Sequence, residues 1–140
     1  GDGWCAGDLS RAIALTRAGL AAGDDAWLHR ARELARRTAL ASPAELDPRL
    51  AHDATFCHGA VGRAHLLNRL AQATGDDVLG AAALEWYRRA LDLCDAADTG
   101  ERGLVAGSAG VALALLAAVS PVAPDWDRVF LVSLPVGQAP

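Results

Sequence analysis

Three short glycine-containing stretches at nearly equal spacing constrain the fold of this chain more than any other feature. They are residues 7–10 (GDLS), 59–62 (GAVG) and 107–110 (GSAG), and they begin 52 and then 48 residues apart. Each opens a stretch with helical apolar periodicity, and the first two are followed by an amphipathic helical stretch. Glycine lets backbones approach closely at the start of a helix. The chain is therefore predicted to repeat one unit, made of a loop, a buried inner helix and a surface outer helix.

Repeated helix pairs of this kind stack into curved arrays or closed rings. The chain is 52% hydrophobic but only 5% aromatic, and it has almost no alternating runs of the kind that predict strands. We therefore predict an all-α fold, a partial α/α toroid of about five alternating inner and outer helices. Two and a half units cannot close a ring and the chain contains no Met, so we expect it to be a piece of a longer protein.

Five helices are predicted along the chain. Their approximate ranges are 8–22, 25–40, 59–73, 76 or 77 to 97, and 107–119. The second helix has one apolar stripe and many arginines, which favours a solvated surface over a binding patch. Residues 125–132 are predicted to form either a short closing helix or an extended piece.

The fifth predicted helix is apolar on all sides, and no charge occurs between residues 103 and 124. This length meets the criterion for a membrane span. The stretch is nevertheless rich in Ala and Gly and ends at Pro121 and Pro124, which favours a fully buried helix over a span.

Charge and cysteine content narrow the classes of partner. A net charge of −4 gives no electrostatic basis for binding nucleic acid or an anionic membrane. Three cysteines are an odd number, which argues against a disulfide framework and favours a reducing compartment such as the cytoplasm.

Two of the cysteines occupy corresponding positions in successive repeats. Cys5 lies two residues before Gly7, Cys57 lies two residues before Gly59, and His58 follows directly. Because corresponding positions lie side by side in a stacked repeat, we predict that Cys5, Cys57 and His58 converge on one metal ion. Three such ligands suit Zn²⁺ with an open fourth position, and thiolates favour zinc over magnesium or calcium. By spacing alone the pattern is weak, because buried reduced cysteines are common.

An open zinc position would activate a thiol. A thiol that coordinates a metal is deprotonated, whereas a free thiol with a pKa of about 8.5 is only a few per cent thiolate at neutral pH. The predicted chemistry is therefore nucleophilic attack by a substrate sulfur.

Other residues carry weaker predictions. His65 is interpreted either as a proton-transfer or supporting group near the site or as a core or surface histidine with its hydrogen bonds satisfied. His52 either lines the rim of the site or is a solvated loop residue, and Trp4 either walls the pocket or packs between helix ends. Cys94, on an apolar helix face, is predicted to lie in the core. Asp8 and Asp53 are candidates to accept a hydrogen bond from a metal-binding side chain.

These motifs carry a resemblance to a known family. Residues 3–7 (GWCAG), 57–62 (CHGAVG), 107–110 (GSAG) and 126–128 (WDR) resemble, in this order, the C-terminal part of the lanthionine synthetase C-like family. The resemblance covers nearly the whole chain and implies an α/α toroid. It also implies that Cys5, Cys57 and His58 hold zinc, and that residues 1–140 are the C-terminal portion of a cyclase domain.

What the family does supplies the functional expectation. Its bacterial members add a peptide cysteine to dehydroalanine or dehydrobutyrine, which leaves a (methyl)lanthionine thioether ring. The implied partners are a dehydrated precursor peptide and a dehydratase protein or domain. The alternative, on the same fold, is a non-catalytic scaffold that binds thiols, glutathione or peptides.

The chain departs from the family pattern at several positions. Ala6 stands where many members have Tyr, and Ser10 replaces the second glycine of the first repeat. The family's Asp and His acid/base residues would lie before Gly1, and an Arg often found near the Trp-Cys pair would fall at or before it. The resemblance therefore implies zinc binding more strongly than a complete catalytic set, and no catalytic residue is assigned.

Overall fold

The computed structural model of the chain describes residues 3–42, 45–96 and 100–137. Helices account for all the regular structure within these ranges, which contain no strand, so the all-α prediction is confirmed. The α-helices are α1 (Asp8–Ala22), α2 (Asp25–Ala39), α3 (Ala60–Thr74), α4 (Asp77–Ala96) and α5 (Ser108–Val119). Short 3₁₀ helices lie at Pro48–Ala51 and Asp125–Phe130. The predicted bounds agree within one residue, except that the predicted end of the fourth helix, residue 97, lies outside the described residues.

The helices form two layers. Consecutive helices pair, α1 with α2 and α3 with α4, while α3 also contacts α1 on one side and α5 on the other. Between the outer helices, α2 contacts α4. Inner helices α1, α3 and α5 therefore alternate along the chain with outer helices α2 and α4, which confirms a partial α/α arrangement.

Local sequence signals explain where the helices begin and end. Gly23 and Gly75 end α1 and α3 in the left-handed conformation, with φ of 65° and 66°. The Asp24 side chain caps α2 by accepting a hydrogen bond from the Trp27 backbone N–H at 3.1 Å. Asp76 accepts similarly from Val78 N at 3.1 Å, at the start of α4.

Burial is greatest in the inner helix α3, whereas the inner helix α1 has only five buried residues of 15, so the prediction of a largely buried first helix is wrong. In α3, 11 of the 15 residues are buried, including two arginines and a histidine. In α2 only four are buried, which are Ala31, Leu34, Ala35 and Thr38. The arginines of α2 are half-exposed, as predicted, but they also join neighbouring helices. Arg36 Nε lies 2.7 Å from the buried carboxylate of Asp76, and Arg37 lies 2.7 Å from Asp8.

The prediction that α5 is fully buried is wrong. Its buried residues are the small ones Gly110, Ala114 and Ala117, whereas Leu116 is 60% and Val119 83% exposed. The reason is that α5 packs on α3 along its small-residue side, and no helix in the described part of the chain covers the opposite side. None of the described helices is long and apolar enough to cross a membrane.

The C-terminal part of the chain returns to the inner layer. Residues 125–134, here called the closing segment, consist of the 3₁₀ helix Asp125–Phe130, then Leu131 in the left-handed conformation, then residues 132–134 without regular structure. Phe130, Val132 and Leu134 are buried in the main core cluster. Of the two predicted alternatives, the structure shows the short closing helix, at Asp125–Phe130.

Candidate metal centre

The loops that precede the inner helices lie side by side. The Trp4 backbone N–H donates to the Cys57 carbonyl at 2.7 Å, and the Cys57 N–H donates to the Val105 carbonyl at 3.0 Å. Three segments that are about fifty residues apart in sequence are thus linked by backbone hydrogen bonds. Corresponding positions of the three repeats meet at one end of the inner layer, as the repeat predicts.

The repeat glycines permit this close approach. A Cβ at Gly62 would collide with the carbonyl of Phe56, and a Cβ at Gly110 would collide with the carbonyl of Leu104. Both carbonyls belong to the residue six positions earlier. In the first repeat that position is Ser10, and its hydroxyl donates a hydrogen bond to the carbonyl of Trp4, again six positions earlier. In the first repeat, a hydrogen bond from the serine side chain therefore joins the loop to the helix, where the other two repeats have close contact between a glycine and the loop backbone.

The three predicted ligand residues come together in space. Cys5 Sγ lies 3.2 Å from His58 Nε2, and Cys57 Sγ lies 3.6 Å from the same nitrogen. All three atoms lie within 4.8 Å of one another. Cys57 is buried, His58 is half-buried and Cys5 is exposed, so one side of the cluster faces solvent.

This donor set fits a tetrahedral zinc ion. Zinc binds thiolate sulfur at about 2.3 Å and imidazole nitrogen at about 2.0–2.1 Å, which at a tetrahedral angle gives a sulfur–nitrogen separation of about 3.6 Å. The two observed separations, 3.2 and 3.6 Å, lie close to this value. The cluster is therefore compatible with a metal site that has three protein ligands.

A cavity of about 480 Å³ borders His58. It lies among the loop before α3, the start of α5 and the last turns of α4. Its lining residues include His52, Asp53, Thr55, Cys94, Ser108 and Val111. His52 lies at this cavity and is exposed, which is compatible with both predicted alternatives, a rim residue and a solvated loop residue. Cys94 is half-buried against this cavity, so the prediction that it is core is wrong. The reason is that Cys94, in the last turns of α4, borders this cavity and does not pack in the hydrophobic core.

His65 is fully buried, and Trp4 is half-buried against the hydrophobic core. The Nε2 atom of His65 lies 3.2 Å from Asp127 Oδ2, and the His65 ring packs on Trp126 with centroids 4.9 Å apart. Burial is the largest influence on the pKa of His65 and lowers it. The Trp4 ring packs edge-on against Phe130 and donates from Nε1 to the Phe130 carbonyl at 3.0 Å.

Asp8 and Asp53, which were predicted to accept a hydrogen bond from a metal-binding side chain, have other partners. Asp8 pairs with Arg37 at 2.7 Å and with Arg11 at 3.1 Å, and the hydrogen bond from Arg37 lowers its pKa. Asp53 Oδ1 accepts from the Thr55 backbone N–H at 2.7 Å, which shapes the loop before α3.

A buried ionic group was not predicted from the sequence. The Asp127 side chain is fully buried, and its Oδ2 lies 3.1 Å from Arg69 Nε as well as near His65. The available signal was the presence of charged residues on a helix that is otherwise apolar, since Arg63 and Arg69 both lie on α3. Charges are almost never buried without a partner, so these arginines indicated buried acceptors elsewhere.

Comparison with known protein families gives a match over most of the chain. A family model described as lanthionine synthetase C-like protein matches residues 1–131. No curated protein and no solved structure matches the chain.

Proposed function

Because this chain belongs to the lanthionine synthetase C-like family, we propose that Cys5, Cys57 and His58 bind one zinc ion at which a peptide thiol is activated. The substrate is a dehydrated precursor peptide that carries a cysteine and a dehydroalanine or dehydrobutyrine residue. The observation that supports this most directly is the convergence of two sulfurs and one imidazole nitrogen within 4.8 Å at the contact of two repeats.

The reaction is an addition that leaves composition unchanged. Bound zinc supplies a positive charge that keeps a coordinated thiol deprotonated at neutral pH. The sulfur forms a bond to the β-carbon of the dehydro residue, the double-bond electrons move toward the carbonyl, and the α-carbon then takes up one proton. The product is a thioether with the same mass as the substrate and with one free thiol fewer.

The chain's own residues provide an approach to the site. Cys5 is exposed, so a peptide can reach the cluster from the solvent side. The cavity next to His58 has an apolar side at Val111 and polar groups at Ser108 and His52. We propose that this cavity receives the peptide residues next to the reacting cysteine, and that His52 lies at its rim.

A non-catalytic role on the same fold is the second candidate. Ala6, which carries only a methyl group, stands where many members of the family have Tyr, and no acid/base residue in the described ranges is assigned to catalysis. In this case the site binds a peptide thiol or glutathione without consuming it. A dehydratase is an expected partner of the cyclase and is not required by the binding role.

The two candidates are separated by a thiol-consumption assay. The zinc-loaded chain is incubated with a short peptide that contains one cysteine and one dehydroalanine, and free thiol and mass are followed together. The cyclase proposal predicts loss of the thiol at constant mass, abolished in Cys57→Ala and retained in the control His29→Gln, on the exposed surface of α2.

A cobalt-substituted sample adds the binding readout. A new sulfur-to-cobalt absorption band on peptide addition, without thiol consumption, would support the binding role and contradict the cyclase. Absence of both the band and the consumption would overturn both candidates.

A further inference from the structure

Two aromatic residues directly precede the candidate ligands, and both pack on the closing segment. Trp4, next to Cys5, packs edge-on against Phe130 with ring centroids 5.0 Å apart and donates to the Phe130 carbonyl at 3.0 Å. Phe56, next to Cys57, lies 4.7 Å from the ring of Phe130 and 5.5 Å from the ring of Trp126. The two ligand loops therefore share one support.

That support is fixed to α3 by buried polar contacts. Asp127 Oδ2 lies 3.2 Å from His65 Nε2 and 3.1 Å from Arg69 Nε, and its side chain is fully buried. The Arg69 guanidinium also donates to the Leu134 carbonyl, seven residues further along the same segment. Asp127 and Leu134 are thus held by a single α3 side chain at two points.

We infer that Asp127 is a positioning residue for the metal site. Through Arg69 and His65 it holds the closing segment in place, and the closing segment holds Trp4 and Phe56, which in turn fix Cys5 and Cys57. Asp127 contacts none of the three candidate ligands itself. The inference rests on the proposed metal site, since it assigns the support of that same site.

The physical basis is preorganisation of the ligands. Cys5 is exposed and precedes α1, so its own side chain contributes little packing to hold it in place. Its position depends on the neighbouring Trp4, through the Trp4 ring and the backbone bond to Cys57. If the closing segment shifts, the loop becomes free to move, and metal binding must then order it at an entropic cost.

The test compares two buried aspartates. Asp127→Asn removes the charge that fixes the closing segment. The matched control Asp76→Asn also alters a fully buried carboxylate paired with arginine, namely Arg36 at 2.7 Å. It does so beyond the far end of α3, about 22 Å of helix from the ligand loops.

Zinc affinity is measured by competition with a chelator, together with the cobalt absorption spectrum as a signature of ligand geometry. Asp127→Asn is expected to weaken zinc binding about 10–100-fold and to change the cobalt spectrum. Asp76→Asn should leave affinity within about twofold and the spectrum unchanged, whatever its effect on stability. Trp4→Phe, which keeps a ring but loses the bond to Phe130, provides a second and milder variant if Asp127→Asn does not fold.

A measurement on the metal-free chain separates failure of the positioning role from failure of the proposed metal site. In the apo chain, diamide oxidises Cys5 and Cys57 to a disulfide at a rate that reports how well the two sulfurs are held together. Zinc binding by the wild type with unchanged affinity, spectrum and disulfide rate in Asp127→Asn and Trp4→Phe would overturn the inference. Absence of zinc binding in the wild type, with slower disulfide formation in the variants, would overturn the proposed metal site but retain the positioning role.

Discussion

Gly62, in the first turn of α3, lies directly against the loop that carries two candidate ligands. Its Cα faces the carbonyl of Phe56 so closely that a Cβ cannot be accommodated without moving backbone. We expect Gly62→Ala to destabilise the fold by about 1–3 kcal/mol, the range for forced overpacking, and to weaken zinc binding by displacing Cys57. Chemical denaturation and zinc titration measure the two effects.

The control for this substitution is Gly80→Ala on α4. A Cβ there meets only the methyl carbon of Ala71 at 3.9 Å, an ordinary contact. Because alanine favours helix over glycine, this variant should gain about 0.5–1 kcal/mol. Equal unfolding midpoints for the two variants would contradict the close approach at Gly62.

We expect buried His65 to make the fold less stable at mildly acidic pH than at neutral pH. Burial, the largest effect, lowers the pKa of His65 below its ordinary value of 6.5, Asp127 raises it and Arg69 lowers it. Between the lowered pKa of the folded chain and about pH 6.5, the unfolded chain therefore binds up to one more proton at His65 than the folded chain. Stability is expected to fall as pH decreases from that value towards the lower folded pKa, by up to about 1.4 kcal/mol per pH unit.

His65→Gln should remove this pH dependence. Denaturant unfolding of the metal-free chain between pH 7.5 and 5.5 measures it, and the depressed pKa values of Asp8 and Asp76 lie below this window. His29→Gln, on the exposed surface of α2, is the control and should keep the slope. Identical slopes for wild type and His65→Gln would show that His65 does not cause the effect.

At the scale of single residues, the sequence predicted the candidate ligands but not their support. Cys5, Cys57 and His58 could be paired because each has a fixed offset from a repeat glycine. Asp127 and His65 are 62 residues apart and belong to no repeated pattern. Their pairing depends on the path of the closing segment, which no local signal in the sequence specifies.

At the scale of elements, helix ends were predictable and the exposure of α5 was not. Glycines at 23 and 75 and the acidic caps fix the helix boundaries locally. The burial of a helix depends instead on what packs against it, and an apolar pattern on every side does not supply that neighbour. In the described structure α5 uses only its small-residue side against α3.

Because one side of α5 is buried and the other is exposed, substitutions on the two sides should change the free energy of unfolding by different amounts. Leu116→Lys and Val119→Lys, at positions 60% and 83% exposed, should change the free energy of unfolding by less than about 0.5 kcal/mol. Ala114→Leu, at a fully buried position, should cost about 1–3 kcal/mol through overpacking. Thermal unfolding compares them, and a larger loss for the lysine variants would mean that the exposed side is covered in solution.

At the scale of the whole molecule, the candidate metal site joins separate repeats. Cys5 comes from the first unit, while Cys57 and His58 come from the second. The backbone of the third unit also contributes, through the Val105 carbonyl that accepts from Cys57 N. A ligand that binds only the folded chain stabilises it by an amount that grows with ligand concentration, so metal binding would strengthen the contact between units.

Equilibrium zinc binding to the purified chain and to three single variants shows whether Cys5 and Cys57 hold the metal. We predict one zinc per wild-type chain, the same stoichiometry and affinity in Cys94→Ala, and affinity at least about 100-fold weaker in Cys5→Ala and in Cys57→Ala, since each loses one of three protein ligands. Wild-type affinity in Cys5→Ala and Cys57→Ala, or no zinc bound by the wild type, would contradict the account.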